Sequence, residues 1–269
     1  MKLRALRYTL LLSGLFGISF LLRASLPSVA TGTWVAAGNM SAARSGACTV
    51  ALNDGRLLIS GGADANGPTA TADLFSTTGS WSAAASMNSP RSHQSCAVLQ
   101  DGRVLVAGGT TSGGGVTNSA EIYDPSADSW SQTGLMNDAR SGATASVLQD
   151  GRVLIAGGRS SDGPPILISN TLEVFDPNSG NFSNAGTMSS PRQDHAAAVL
   201  SDGRVLIVGG SSDGTNALNT TDIYDPQAGS VSAGPAMSTP RAKHTATTLL
   251  DGTVIVIGGS KWHSRSCLC

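Results

Sequence analysis

SPRSHQSCAVLQDGRVLVAGG, residues 89–109, returns as DARSGATASVLQDGRVLIAGG at 138–158 and as SPRQDHAAAVLSDGRVLIVGG at 190–210. Working outward from this stretch, a Met-x-x-x-Arg string opens each copy, at Met40, Met87, Met136, Met188 and Met237, spaced 47 to 52 residues apart. From Arg to the next Asp-Gly is ten residues every time: Arg44 to Asp54, Arg91 to Asp101, Arg140 to Asp150, Arg192 to Asp202 and Arg241 to Asp251. An apolar run then ends in Gly-Gly, and an aromatic follows at Phe75, Tyr123, Phe175 or Tyr224. A second large residue comes later, at Trp81, Trp130 or Phe182, with Val231 in the fourth copy. A fixed period near 50 residues marks a repeat architecture, in which one unit buries its faces only against its neighbours.

Each copy reads as four strands, A to D. Asp-Gly between two apolar runs is a strong hairpin signal and places the A–B turn. Strand B, such as RVLVA, is continuously apolar, as expected of a strand buried on both faces. Its closing Gly pair permits positive φ or close backbone approach. The Pro behind strand C cannot donate to a ladder and ends that strand. Strand A carries small side chains on both faces, which suits an axis where sheets converge. The aromatics of C and D suit the periphery, where radial sheets splay apart. Radial repetition of four-stranded sheets gives an all-β propeller.

The Gly-Gly, Tyr and Trp signals at this period resemble the Kelch repeat, over roughly residues 32–260. The expectation is a Kelch-type β-propeller with four complete four-stranded blades and a partial fifth. TGTWVAAG at 31–38 reads as a lone strand D, and KHTATTLL with TVIVIGG supplies A and B of the last blade without a C. Two readings stay open: a five-bladed ring with one defective blade, or a piece of a larger ring.

Residues 1–30 read separately. Lys2, Arg4 and Arg7 precede an uncharged apolar run at 8–22, and small residues occupy 28–30. That is the pattern of a secretory signal, and fifteen residues fall short of the about 20 that a membrane span needs. The reading is cleavage near Ala30 and a secreted, periplasmic or extracellular protein, with membrane contact only through an uncut segment. The propeller is assigned to 31–260 and an irregular tail to 261–269. Residues 1–30 hold four of the 17 basic residues and none of the 18 acidic ones, so the remainder is acidic. Without a basic stripe, nucleic acid is not an expected partner.

Because strands alternate direction, the B–C and D–A loops share one face. The B–C loops at 63–72, 110–119, 159–171 and 211–220 are the longest, and long loops on a rigid scaffold are where binding concentrates. The ligand surface is placed there. Arg44, Arg91, Arg140, Arg192 and Arg241 stand on the same face and read as candidate binding residues for an acidic group. The resemblance supports this, since in some Kelch proteins Arg at the matching position meets acidic partner motifs. A second reading is structural. Asp73, Glu121, Glu173 and Asp222 each stand two residues before the strand-C aromatic, and Arg–carboxylate pairs would explain why both recur.

His195 and His244 share one register position and His93 is offset by one, which falls short of the three or four ligands a metal site needs. No metal and no cofactor are expected. Kelch resemblance also extends to galactose oxidase, which would imply a copper site with a Tyr–Cys cross-link, and to sugar-acid isomerases. Beyond residue 30 only Tyr123 and Tyr224 are present, both in the repeat's own aromatic slot. Cys48 and Cys96 lie four and five residues past their Arg, on opposite sheet faces. Adjacent blades either present them to each other for a disulfide or hold two separate thiols. The reading is an exported binding module for a protein or carbohydrate partner, with no catalysis expected. The alternative is a carbohydrate-active enzyme propeller or a fragment of one.

Overall fold

Every Asp-Gly-Arg string closes a hairpin, but through five residues rather than two. In the first blade, 52–56 connect β1 (Cys48–Ala51) to β2 (Leu57–Ser60), and Gly55 adopts φ 87°. The Asp54 carboxylate accepts the Arg56 backbone N–H at 3.0 Å and its Nε at 2.8 Å, so the Arg of the string belongs to the turn. The computed structural model describes residues 36–261. The signal segment and the tail from residue 262 lie outside them, as does most of the strand expected at 31–38; Ala36–Gly38 form no strand.

The first blade continues with β3 (Ala72–Phe75) and β4 (Trp81–Ala84). The second comprises β5 (Ser95–Val98), β6 (Val104–Ala107), β7 (Ala120–Asp124) and β8 (Ser129–Gln132). The third comprises β9 (Thr144–Val147), β10 (Val153–Ala156), β11 (Thr171–Asp176) and β12 (Asn181–Thr187). The fourth comprises β13 (Ala196–Val199), β14 (Val205–Val208), β15 (Thr221–Asp225) and β16 (Ser230–Ala233). Each is one antiparallel sheet in chain order. A fifth sheet has two strands, β17 (Ala242–Thr248) and β18 (Val254–Ser260). The inner strands touch in sequence, β1 to β5 to β9 to β13 to β17. The B–C loops are not structureless; two form short hairpins, Ala63–Asp64 with Gly67–Pro68 and Arg159–Ser161 with Leu167–Ile168.

Period-two alternation divides each blade's apolar residues between its two neighbours. Val104, Val106 and Tyr123 pack with Leu58, Leu74 and Met87 of the first blade. Their alternates Leu105, Ala107 and Ile122 pack with Val153, Ile155 and Phe175 of the third. The middle strand is therefore buried on both faces, Val104 to Ala107 being at most 2% exposed. The cross-strand pairs Phe75–Trp81, Tyr123–Trp130 and Phe175–Phe182 sit 4.8–5.0 Å apart between ring centroids and fill the outer wedge. The Gly pairs are required by close approach. A Cβ at Gly157 would stand 2.5 Å from the Arg192 carbonyl oxygen of the next blade.

Of the two arrangements open for the cysteines, the structure has the bond. Cys48 of β1 and Cys96 of β5 are joined with Cα atoms 6.1 Å apart, clamping the inner strands of the first two blades.

Candidate functional site

The arginines expected on the ligand face are sunk beneath it. Arg44, Arg91, Arg140 and Arg192 pair with Asp73, Glu121, Glu173 and Asp222 of their own blades at 2.7, 2.7, 2.8 and 2.5 Å. All eight side chains are at most 2% exposed. Each Nη1 also donates to the carbonyl of the first Gly in its Gly-Gly: Gly61 at 3.1 Å, Gly108 at 2.9 Å, Gly157 at 3.0 Å and Gly209 at 2.8 Å. A second acceptor is the carbonyl two residues before the acid, such as Ser119 or Thr171. The carboxylate in turn accepts backbone N–H groups of the D–A loop, Asn88 and Ser89 on Glu121, Asn137 and Asp138 on Glu173. One guanidinium thus staples the loop, the end of the second strand and the start of the third. The pairing lies within blades, and the expectation that these four groups face a ligand is corrected by their depth. Arg241 differs. Its Nη1 meets the Gly258 carbonyl at 2.7 Å, and among the described residues it has no carboxylate.

What the face presents is the residue two past each Arg. Gly46, His93, Gly142, Asp194 and Lys243 all have positive φ, at 62°, 55°, 67°, 54° and 59°. The cause is a belt of backbone bonds from blade to blade. His93 N–H donates to Gly46 O at 2.7 Å, Gly142 N–H to His93 O at 2.7 Å, and Lys243 N–H to Asp194 O at 2.8 Å. Glycine accepts this geometry freely, whereas an L side chain costs roughly 1–2 kcal/mol there. Three blades nevertheless carry His, Asp and Lys. His93 and Lys243 are exposed and Asp194 is half-buried.

One residue further on, Ala47, Gln94, Ala143, His195 and His244 line the wall below. With the belt they border a shallow, open hollow of about 320 Å³. Gln94 Nε2 donates to Ser60 O of the preceding blade at 2.8 Å, and His195 Nε2 lies 3.0 Å from Thr144 Oγ1. Gln94 Oε1 is buried without a hydrogen-bond partner, and both imidazoles are buried beside backbone carbonyls, His195 near those of Arg192 and Ala156 and His244 near that of Val208. Burial, with the Arg192 and His244 charges adding, holds the His195 imidazole down at about 3. Burial also lowers His244, against the pull of the Val208 carbonyl. Both rings are neutral near pH 7, and each offers one donor and one acceptor. Among the described residues no group of three or more His, Cys, Asp or Glu converges as a metal site would require.

The Kelch motif matches residues 91–134 and 194–238, the spans from buried Arg or belt residue through the outer strand. The chain carries Kelch repeats. A solved structure titled "Structure of YjhT" superposes with a TM-score of 0.68 over 82% of this chain and 74% of that one, at 18% identity. At that identity the likeness shows the Kelch propeller fold alone. No curated protein matches the sequence.

The opposite face of the Kelch blades holds a larger hollow, 510 Å³, between turns of the third and fourth blades. Two of its three carboxylates are matched by the Asp-Gly-Arg pairs, Asp202 with Arg204 and Asp150 with Arg152, both at 2.7 Å, and the third, Asp225, accepts the turn N–H groups of Gln227 and Ala228. These pairs recur in four Kelch blades and belong to the turns. In the B–C and D–A loops, by contrast, side chains differ from blade to blade. Arg159 Nε donates to Gln193 Oε1 at 2.6 Å and pairs with Asp162 at 3.3 Å, while Thr110 Oγ1 donates to Asp162 at 2.8 Å. These loop contacts were not evident from the sequence. Their only trace is that a charged residue, Arg159, follows Gly-Gly where Ala63, Thr110, Ser211 and Ser260 follow it elsewhere.

Proposed function

We propose that this propeller is a binding module whose ligand enters the axial mouth bounded by His93, Asp194 and Lys243. The observation that carries the reading is the belt itself. Polar side chains stand at left-handed positions where glycine is the more stable choice, and strain held in this way is characteristic of functional positions. Thr144, Gln94, His195 and His244 line the hollow below the belt. The belt sets an imidazole, a carboxylate and an ammonium around the hollow, and no Phe, Tyr or Trp side chain lines it. A hydroxyl both donates and accepts. The ligand class is therefore polyhydroxylated, a free saccharide or one displayed on a partner protein. The apolar N-terminal run and the Cys48–Cys96 bond support an exported protein, since disulfides persist in oxidising compartments.

Calorimetric titration of the purified chain against neutral and acidic saccharides tests this reading, with His93→Gly, Asp194→Gly and Lys243→Gly measured beside the wild type. Expected is a saccharide that binds the wild type and binds each variant at least about tenfold more weakly, a loss of 1.4 kcal/mol or more. Unchanged affinity in all three variants would place the ligand elsewhere.

A further inference from the structure

Ser141 and Gln193 stand immediately before Gly142 and Asp194, two of the residues that line the hollow under the belt. Each is tied through its backbone to the residue after Gly-Gly in its own blade. Ser141 exchanges N–H···O bonds with Arg159 at 2.9 and 2.8 Å, and Gln193 does so with Ser211 at 3.0 and 2.9 Å. Ser45 and Ala63 repeat this bridge in the first blade. The side chains do not repeat. Arg159 Nε crosses to Gln193 Oε1 of the next blade at 2.6 Å, and its Nη1 holds Asp162 at 3.3 Å. Asp162 reaches the other way and accepts Thr110 Oγ1 of the second blade at 2.8 Å; Thr110 Oγ1 lies 3.0 Å from Ser141 Oγ. One polar chain, Ser141–Thr110–Asp162–Arg159–Gln193, thus runs a single residue behind the lining of the mouth and spans three blades.

Stability alone does not account for this chain. The scaffold's own ion pairs are buried and recur in four blades, whereas the Arg159 and Asp162 side chains are 41% and 16% exposed. Pairs that open to water add little to a fold, and ordering an arginine side chain costs conformational freedom. The two ends of the chain are buried, Ser141 at 5% exposure and Gln193 at 4%. A displacement of its exposed middle is therefore delivered to residues packed in the interior, each one peptide away from a belt position.

We propose that Arg159 and Asp162 are positioning residues that fix Gly142 and Asp194 relative to each other and so set which saccharides the mouth admits. Neither of them lines the hollow. Arg159 acts through Gln193 on Asp194, and Asp162 acts through Thr110 and Ser141 on Gly142. The saccharide part rests on the reading of the mouth given above; the mechanical link does not.

Amide hydrogen exchange read by NMR on the full chain tests the link without a ligand. Arg159→Met removes every donor and keeps the aliphatic stem, and Asp162→Ala removes the acceptor. Each should speed exchange of the Gly142 and Asp194 N–H groups about tenfold. The His93 N–H, which is bonded to Gly46 O at the junction of the first two blades, should not move. The double variant should add little to either single one, since both cut the same chain, and Arg159→Lys, which keeps a charged donor, should restore part of the protection. Unchanged exchange at Gly142 and Asp194, or an equal rise at His93, overturns the proposal. A saccharide bound by the wild type should bind Arg159→Met about tenfold more weakly. Unchanged affinity for a saccharide that the belt variants lose overturns the proposal as well. If no saccharide binds the wild type, the reading of the mouth fails, and exchange still decides the link.

Discussion

Arg140 and Glu173 meet twice in the interior of the third blade, through Nη2 at 2.8 Å and Nε at 3.1 Å, on the same carboxylate oxygen. Neither side chain exceeds 2% exposure. Removing one partner leaves a buried charge without its complement, which costs about 3–5 kcal/mol. Arg140→Ala should therefore lower the free energy of unfolding by that amount in urea titration. Arg241→Ala, which removes no ion pair among the described residues, should cost about 1 kcal/mol or less. Equal losses at the two positions would show that the guanidinium–carboxylate staple is not the source of the effect.

Lys243 carries the opposite expectation. It holds φ 59° for the sake of the Asp194 carbonyl bond, and its side chain is exposed. Lys243→Gly should raise stability by up to about 1 kcal/mol while saccharide binding falls. A thermal melt of the variant beside the wild type decides the first half. A lowered melting temperature would mean that the side chain supports the fold.

Acid should weaken the fold through His195. Its ordinary value is 6.5 and burial brings it to about 3 in the folded chain. The unfolded chain takes up this proton first, so the contribution is complete above about pH 6.5 and declines as pH falls toward 3. Asp150, held low first by its hydrogen bond from Arg152, contributes above its ordinary value of 3.8 and is lost only at lower pH. Urea midpoints should therefore drop between about pH 7.5 and 5. His195→Gln should flatten that slope, since Gln94 already fills the same position in the second blade. An undiminished slope in the variant would assign the proton to another group.

Breaking the Cys48–Cys96 bond frees a loop of sequence separation 48. Cys48→Ala with Cys96→Ala should cost about 2–4 kcal/mol, read from urea unfolding of oxidised wild type and variant. Reductant should lower the wild type to the level of the variant and leave the variant unmoved.

The ten-residue interval from Arg to Asp-Gly and the acid before each strand-three aromatic disclosed both the blade and its ion pair. What they could not disclose is depth. Whether Arg91 points outward or inward depends on the carbonyls of Gly108 and Ser119, which meet only after the sheet has formed. The belt was harder still to see. Glycine at 46 and 142 is its only signature in sequence, and His93, Asp194 and Lys243 hide the same backbone under ordinary side chains. His195 and His244 drew notice for sharing a register, but their burial against the neighbouring blade follows from packing. The Cys pair showed the reverse limit. Side-chain alternation permitted the bond, and the blade-to-blade spacing decided it.

Each staple also sets an order in time. Arg44 precedes Asp73 by 29 residues, Arg91 precedes Glu121 by 30, and the next two intervals are 33 and 30. During synthesis an inner strand and its hairpin emerge with a cation still in water. The blade locks when the third strand delivers the carboxylate, before the following repeat has been made. Blades can then be added to a growing stack one after another, so the advance of folding along the chain is paced by the arrival of single acidic residues rather than by closure of the whole ring.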